Sequence, residues 1–152
     1  MRVGIGYDSH RFAEGRRLVL GGVEIDHPLG LAGHSDADVV AHALIDALLG
    51  AAGLGDLGTH FPPDDDAWRD ADSLDMLRTV LGLLPGPVRN ADVSVIAEQP
   101  RLADHREEME RNLQTVLGAP VSVKATSNEG MGFIGRGEGI ACVAVALVDA
   151  GE

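Results

Sequence analysis

Three side chains able to hold a metal ion stand in the N-terminal third of the chain: Asp8 and His10, two residues apart, and His42. In a strand, residues two apart project from the same face, so Asp8-x-His10 within Val3–Phe12 brings a carboxylate and an imidazole together. His42 lies in a run with apolar residues at helical spacing, and a helix packed over that strand would add the third ligand. One acid and two imidazoles suit a borderline divalent ion such as zinc, tetrahedral, with one position left open for catalysis. On spacing alone, the competing reading of His42 is a structural histidine on a helix face. Asp46, one turn further, is placed to accept from that imidazole and fix its tautomer, or else to sit as a solvated helix acid.

The elements that must position these groups follow from the pattern. Ser35-x-x-Asp38 reads as a capping box, which starts the helix at about Asp36. Val40, Ala43, Leu44, Ala47, Leu48 and Ala51 then share one face, and Asp38, His42 and Asp46 recur on another. Leu18–Leu20 and Val23–Ile25 around Gly21-Gly22 read as a hairpin. Gly53–Gly58 and Pro62–Asp66 read as a long loop without regular structure, of the kind that is usually functional or mobile. Asp72–Leu84 and Asp104–Leu117 are packing helices, closed by Pro85 and Gly118; Val88–Ala97, Val121–Thr126 and Ile140–Asp149 are strands. Gly4 and Gly6 are best read as close-packing positions.

The expected fold is α+β, a single domain over residues 1–152, with a mixed sheet of about four main strands carrying helices on one face. The last strand is apolar on both sides, so the other sheet face needs a cover, and self-association would supply it. The net charge of −12 argues against a nucleic-acid or anionic-membrane partner. The single cysteine, Cys142, sits in an apolar run and is expected to be a buried, inert thiol. No apolar run approaches membrane-spanning length, and a soluble, cytoplasmic bacterial protein is expected.

Several motifs in fixed order carry a family resemblance: Gly4-x-Gly6-x-Asp8-x-His10-x-Phe12, His34-Ser35-Asp36-x-Asp38-Val39-x-x-His42, Gly55-Asp56-x-Gly58-x-x-Phe61-Pro62, Lys124-Ala125-Thr126, and Gly132-Phe133-x-Gly135-Arg136-x-Glu138-Gly139. Together they closely resemble the 2-C-methyl-D-erythritol 2,4-cyclodiphosphate synthases of the non-mevalonate isoprenoid pathway, almost end to end. The resemblance implies a homotrimer with active sites between subunits. Each site would close 4-diphosphocytidyl-2-C-methyl-D-erythritol 2-phosphate into the cyclic diphosphate and release CMP. Attack by the substrate's own 2-phosphate needs no enzyme nucleophile, so catalysis would be positioning and charge neutralisation.

The same resemblance implies roles residue by residue. Asp8, His10 and His42 would bind zinc, with Asp8 and His10 also close to substrate. His34 and Ser127 would stabilise the transition state, and Ser35 would hold phosphate at the helix start. Asp56, Leu57, Gly58, Phe61, Pro62, Pro63, Asp64 and Asp65 would hold the methylerythritol part. Ala97 and Pro100, Arg101, Leu102 and Ala103 would form the cytidine pocket. Glu129 would bind a second ion, magnesium or manganese, and Thr126, Asn128, Arg136 and Phe133 would lie along or near the nucleotide phosphates. Two departures stand out: Thr126-Ser127-Asn128 replaces a run of hydroxyls, and Pro63 stands where an acid is common. Arg136 and Glu138 would line an axial cavity able to hold an isoprenoid diphosphate; read from the residues alone, Gly132–Arg136 is a tight turn and Arg136–Glu138 a surface ion pair. The rival readings are a zinc-dependent phosphatase or phosphodiesterase, and a non-catalytic trimer binding nucleotides or isoprenoids.

Overall fold

In the computed structural model, which describes residues 1–151, the first strand sets the geometry of everything else. This strand, β1 (Arg2–Ala13), alternates its sides: Gly4, Gly6, Asp8 and His10 face one way, Val3, Ile5 and Tyr7 the other. The long helix α1 (Val39–Ala52) lies on the first side, against β1 and the final strand β7 (Gly139–Val148). Contact is close enough that a Cβ on Gly4 would stand 1.9 Å from the Ala47 carbonyl oxygen, and one on Gly6 1.9 Å from that of Ala43. Glycine on the strand and alanine on the helix therefore let two backbones meet. The close-packing reading of both glycines holds.

The remaining strands are β2 (Leu18–Leu20), β3 (Val23–Ile25), β4 (Gly30–Leu31), β5 (Val88–Ile96) and β6 (Val121–Thr126). The sheet is mixed and five-stranded, in the order β4-β1-β7-β5-β6, with β5 and β6 parallel and the other pairs antiparallel. Four strands are long and β4 contributes only two residues, in line with the expected four main strands. Beside α1, the helices α3 (Ser73–Leu81) and α4 (Arg106–Leu117) bury Met76, Leu77 and Val80, and Met109, Leu113 and Leu117. Cys142 is fully buried, and burial pushes its thiol far up, so it is inert as expected.

Two expectations about local structure are corrected. Helix α1 begins at Val39 and not at Asp36, because Asp38 is its N-cap: Oδ1 accepts from the Val40 and Ala41 amides, both at 3.1 Å. Asp38 also takes the amides of Gly21 (2.9 Å) and Gly22 (2.8 Å), the two residues of the β2–β3 turn. Both glycines have positive φ, as a tight hairpin turn requires, and the turn thereby presents two donors to one buried carboxylate. Burial and the nearby Asp36 carboxylate raise Asp38 to about 6 even so. Nor is the stretch after α1 irregular throughout: α2 (Leu57–His60) and a 3₁₀ turn, Asp66–Trp68, are capped by Asp56 and Asp65.

The sheet face away from the helices is open. Val3, Ile5 and Tyr7 are 67%, 71% and 53% exposed, and they pair in register with Leu147, Val145 and Val143. Six apolar side chains thus form one surface patch across β1 and β7. Such a patch marks an association surface. Among the described residues no helix is long and apolar enough to cross a membrane.

Candidate functional site

The predicted metal ligands converge. His10 Nε2 lies 2.8 Å and His42 Nδ1 3.1 Å from the same Asp8 oxygen, and the two nitrogens are 3.1 Å apart. Strand alternation aims Asp8 and His10 at α1, and the first turn of that helix carries His42 over them. His10 Nδ1 donates to the Ala32 carbonyl at 2.7 Å, which leaves Nε2 turned into the cluster. Two imidazole nitrogens and a carboxylate oxygen at this spacing fit a divalent cation once the protons between them are lost.

The electrostatics point the same way. Burial would raise the Asp8 carboxyl, but hydrogen bonds from both imidazoles hold it down at about 2. Burial would lower His10, but the Asp8 carboxylate outweighs it and raises the imidazole above its ordinary 6.5. In the metal-free chain the His10 shift therefore adds stability that is complete below 6.5 and is lost as pH rises through the raised value. The Asp8 shift adds stability that is present above 3.8 and lost as pH falls through about 2. Metal must displace the His10 proton, so zinc affinity is expected to climb with pH below the raised His10 value and to level off once His10 is neutral. Competition against a chromophoric chelator across that range checks this; a flat profile would mean that His10 is not a ligand.

Asp46 does not meet His42. It accepts from the Leu57 amide at 2.7 Å and so anchors α2. Side chains on a helix lean toward its N-terminus, so His42 Nε2 points back, away from Asp46. It meets Ser73 Oγ at 2.9 Å and Ser35 Oγ at 3.1 Å. Ser35 is thus buried with its hydroxyl turned to His42, while the amides at the helix start are taken by Asp38. Ser73, and the role of Asp36 as acceptor of its hydroxyl, escaped the sequence reading. The only local signal for Ser73 was its place at a helix start. Arg16, also missed, pins the segment between: its Nε donates to the Leu31 carbonyl (3.0 Å) and a terminal nitrogen to that of Ser35 (2.6 Å).

His34 is held through Nε2 near the Asp65 carbonyl, 3.0 Å away, which ties it to the 56–65 segment. Within that segment Asp56 and Asp65 spend a carboxylate oxygen on capping, and Phe61 is buried, edge-on to Trp68 with ring centroids 4.6 Å apart. Leu57, Gly58, Pro62, Pro63 and Asp64 lie between these anchors.

A cavity of about 480 Å³ opens at the ends of β5 and β6. Its walls include Ala97, Pro100, Arg101, Leu102 and Ala103, the predicted cytidine segment, together with Thr126 and Ser127. Glu98 closes one edge by accepting from the Asn128 (2.8 Å) and Gly130 (3.2 Å) amides. Ser127 Oγ is 3.4 Å from Glu129 Oε1 at the rim. Phe133 stands elsewhere, in a second cavity with His10 and Glu138, and Arg136 pairs with Glu138 at 2.8 Å. In register, Asp8, Cys142, Val95 and Ala125 form one row across the sheet, so the metal cluster and the cavity share an end of the sheet with β7 and β5 between them.

The YgbB family model matches residues 1–149. The chain belongs to the YgbB family. A 2-C-methyl-D-erythritol 2,4-cyclodiphosphate synthase from Symbiobacterium thermophilum is 59% identical, over 97% of this chain and 98% of its own length. A solved structure of such a synthase in its CDP-bound form aligns with a TM-score of 0.89 at 36% identity, over 97% of this chain and all of that one. The bifunctional IspDF of Campylobacter jejuni aligns with a TM-score of 0.91 at 41% identity; 95% of this chain matches 41% of that longer one.

Proposed function

We infer that the chain converts 4-diphosphocytidyl-2-C-methyl-D-erythritol 2-phosphate into 2-C-methyl-D-erythritol 2,4-cyclodiphosphate and CMP, in non-mevalonate isoprenoid synthesis. What carries this reading is the match to a named synthase at 59% identity over nearly the whole chain. Asp8, His10 and His42 would hold zinc, which as a Lewis acid would polarise a phosphate oxygen. The cavity lined by Ala97–Ala103 would take the cytidine, and backbone groups there would read the base. Thr126 and Ser127 border the nucleotide phosphates, and Glu129 offers a carboxylate to magnesium or manganese. Asn128 is spent on the Met131 carbonyl through its side-chain amide, 2.8 Å away. His34 and Ser127 meet the charge that builds on the attacked phosphate, and the 56–65 segment covers the methylerythritol part.

The working unit is a homotrimer of one-domain subunits spanning residues 1–152. The open apolar patch of Val3, Ile5, Tyr7, Val143, Val145 and Leu147 supports this, since a threefold seam there covers it. Around that axis Phe133, Arg136 and Glu138 would border a cavity for an isoprenoid diphosphate. The protein acts in the cytoplasm.

Phosphorus NMR of the purified chain with this substrate, zinc and magnesium tests the reading. Two coupled resonances of a cyclic diphosphate beside CMP are expected. Release of inorganic phosphate would instead identify a zinc-dependent phosphatase or phosphodiesterase.

A further inference from the structure

His42 makes its closest polar contacts on two sides. Nδ1 faces Asp8 and His10, and Nε2 faces Ser73 Oγ at 2.9 Å, with Ser35 Oγ at 3.1 Å. The Ser73 hydroxyl is wholly buried and has one proton to give. It gives that proton to Asp36 Oδ1, the shortest contact of the group, while Asp36 Oδ2 accepts from the Ser73 amide at 3.1 Å. With its proton committed to a carboxylate, Ser73 Oγ meets His42 Nε2 only as an acceptor. A bare Nε2 would set two lone pairs against each other at 2.9 Å. A proton on Nε2 thus has an acceptor waiting in Ser73 Oγ, and a ring protonated there can offer Nδ1 to a metal ion; without metal, the Asp8 carboxylate 3.1 Å from Nδ1 competes for a proton on that side.

We propose that Asp36 and Ser73 are positioning residues that act through His42 on the metal site, a carboxylate–hydroxyl–imidazole relay fixing the tautomer and ring orientation in which Nδ1 can ligate. This rests on reading Asp8, His10 and His42 as metal ligands. The relay joins three elements: Asp36 precedes α1, Ser73 opens α3, and His42 rides on α1 over β1. Asp36 is itself fixed, since its amide donates to the Ala71 carbonyl at 3.0 Å and its Oδ1 also accepts from the Asp38 amide at 3.1 Å. A partner this constrained holds the imidazole more firmly than the Ser35 hydroxyl, which already accepts from the Ala37 amide at 3.2 Å.

The test uses the full chain, zinc alone as the probe, and two readouts: affinity by chelator competition, and the ring nitrogens of His42 by long-range proton–nitrogen NMR. In the native protein the zinc-bound ring should carry its proton on Nε2 and bind zinc through Nδ1. Ser73→Ala should weaken zinc roughly 10–100-fold and move the zinc-free ring toward protonation on Nδ1; Asp36→Asn should shift both readouts in the same direction. A merely structural role for Ser73 would lower thermal stability without moving the tautomer. The proposal is overturned if Ser73→Ala keeps its zinc affinity within about twofold, or if it leaves the tautomer balance of the zinc-free ring unchanged. Failure of the native chain to bind zinc at all would sink the metal reading instead, and the tautomer shift in Ser73→Ala would still decide the relay.

Discussion

Replacing Gly6 by alanine is expected to cost more than about 3 kcal/mol, at the upper end of what overpacking usually costs and a large share of a typical domain's 5–15 kcal/mol. The new Cβ would stand 1.9 Å from the Ala43 carbonyl oxygen and 2.7 Å from the Ala47 amide, both backbone atoms of α1. No rotamer change relieves such a contact, so the helix must lift from the strand. Metal binding should fall with stability, because His42 rides on α1 while Asp8 and His10 are fixed to β1. Gly50→Ala is the matched control, since its Cβ meets nothing closer than 3.9 Å, and it should be neutral or stabilising by up to about 1 kcal/mol. Urea unfolding of the two variants decides the matter. Equal stabilities would mean that the strand and helix can part at no cost.

Loss of His42 is the second large effect, and it acts on chemistry more than on folding. His42→Ala removes the only ligand that comes from outside β1, leaving Asp8 and His10 as a pair 2.8 Å apart. Two ligands on one strand cannot enclose a tetrahedral ion. Zinc affinity should fall well beyond the roughly 10–100-fold expected from losing an outer partner, and cyclic product should fall below detection. Circular dichroism should remain native, because α1 is held by a fully buried apolar face that includes Val40, Leu44 and Leu48. A variant that bound zinc like the native chain would move the metal away from this cluster.

Much of this was legible from the residues themselves. Strand alternation is a local property, so Asp8 and His10 had to share a face, and Gly4 and Gly6 had to share it with them. The Gly21-Gly22 hairpin, the stop of α4 at Gly118 and the burial of Cys142 follow from turn chemistry and apolar runs in the same way. The expected cytidine segment, Ala97–Ala103, does line a cavity, but its place there came from resemblance and not from periodicity.

What the chain could not announce was which partner each polar group would meet. The Ser35-x-x-Asp38 pattern is compatible with a capping box, yet Asp38 caps the helix itself because two amides from the hairpin turn, sixteen and seventeen residues earlier, also converge on its carboxylate. Asp46 looked like the partner of His42 because it lies one turn away. Ser73, thirty-one residues distant, holds that place because α3 packs its first turn against the side toward which helix side chains lean. Sequence by itself named the candidate ligands, the type of each main element and the stripe of small residues that lets α1 approach β1. Only the tertiary structure decided which groups meet the two ring nitrogens of His42, the true start of α1 and the open apolar face of the sheet, because each depends on contacts between distant segments, and periodicity within a segment carries no record of those.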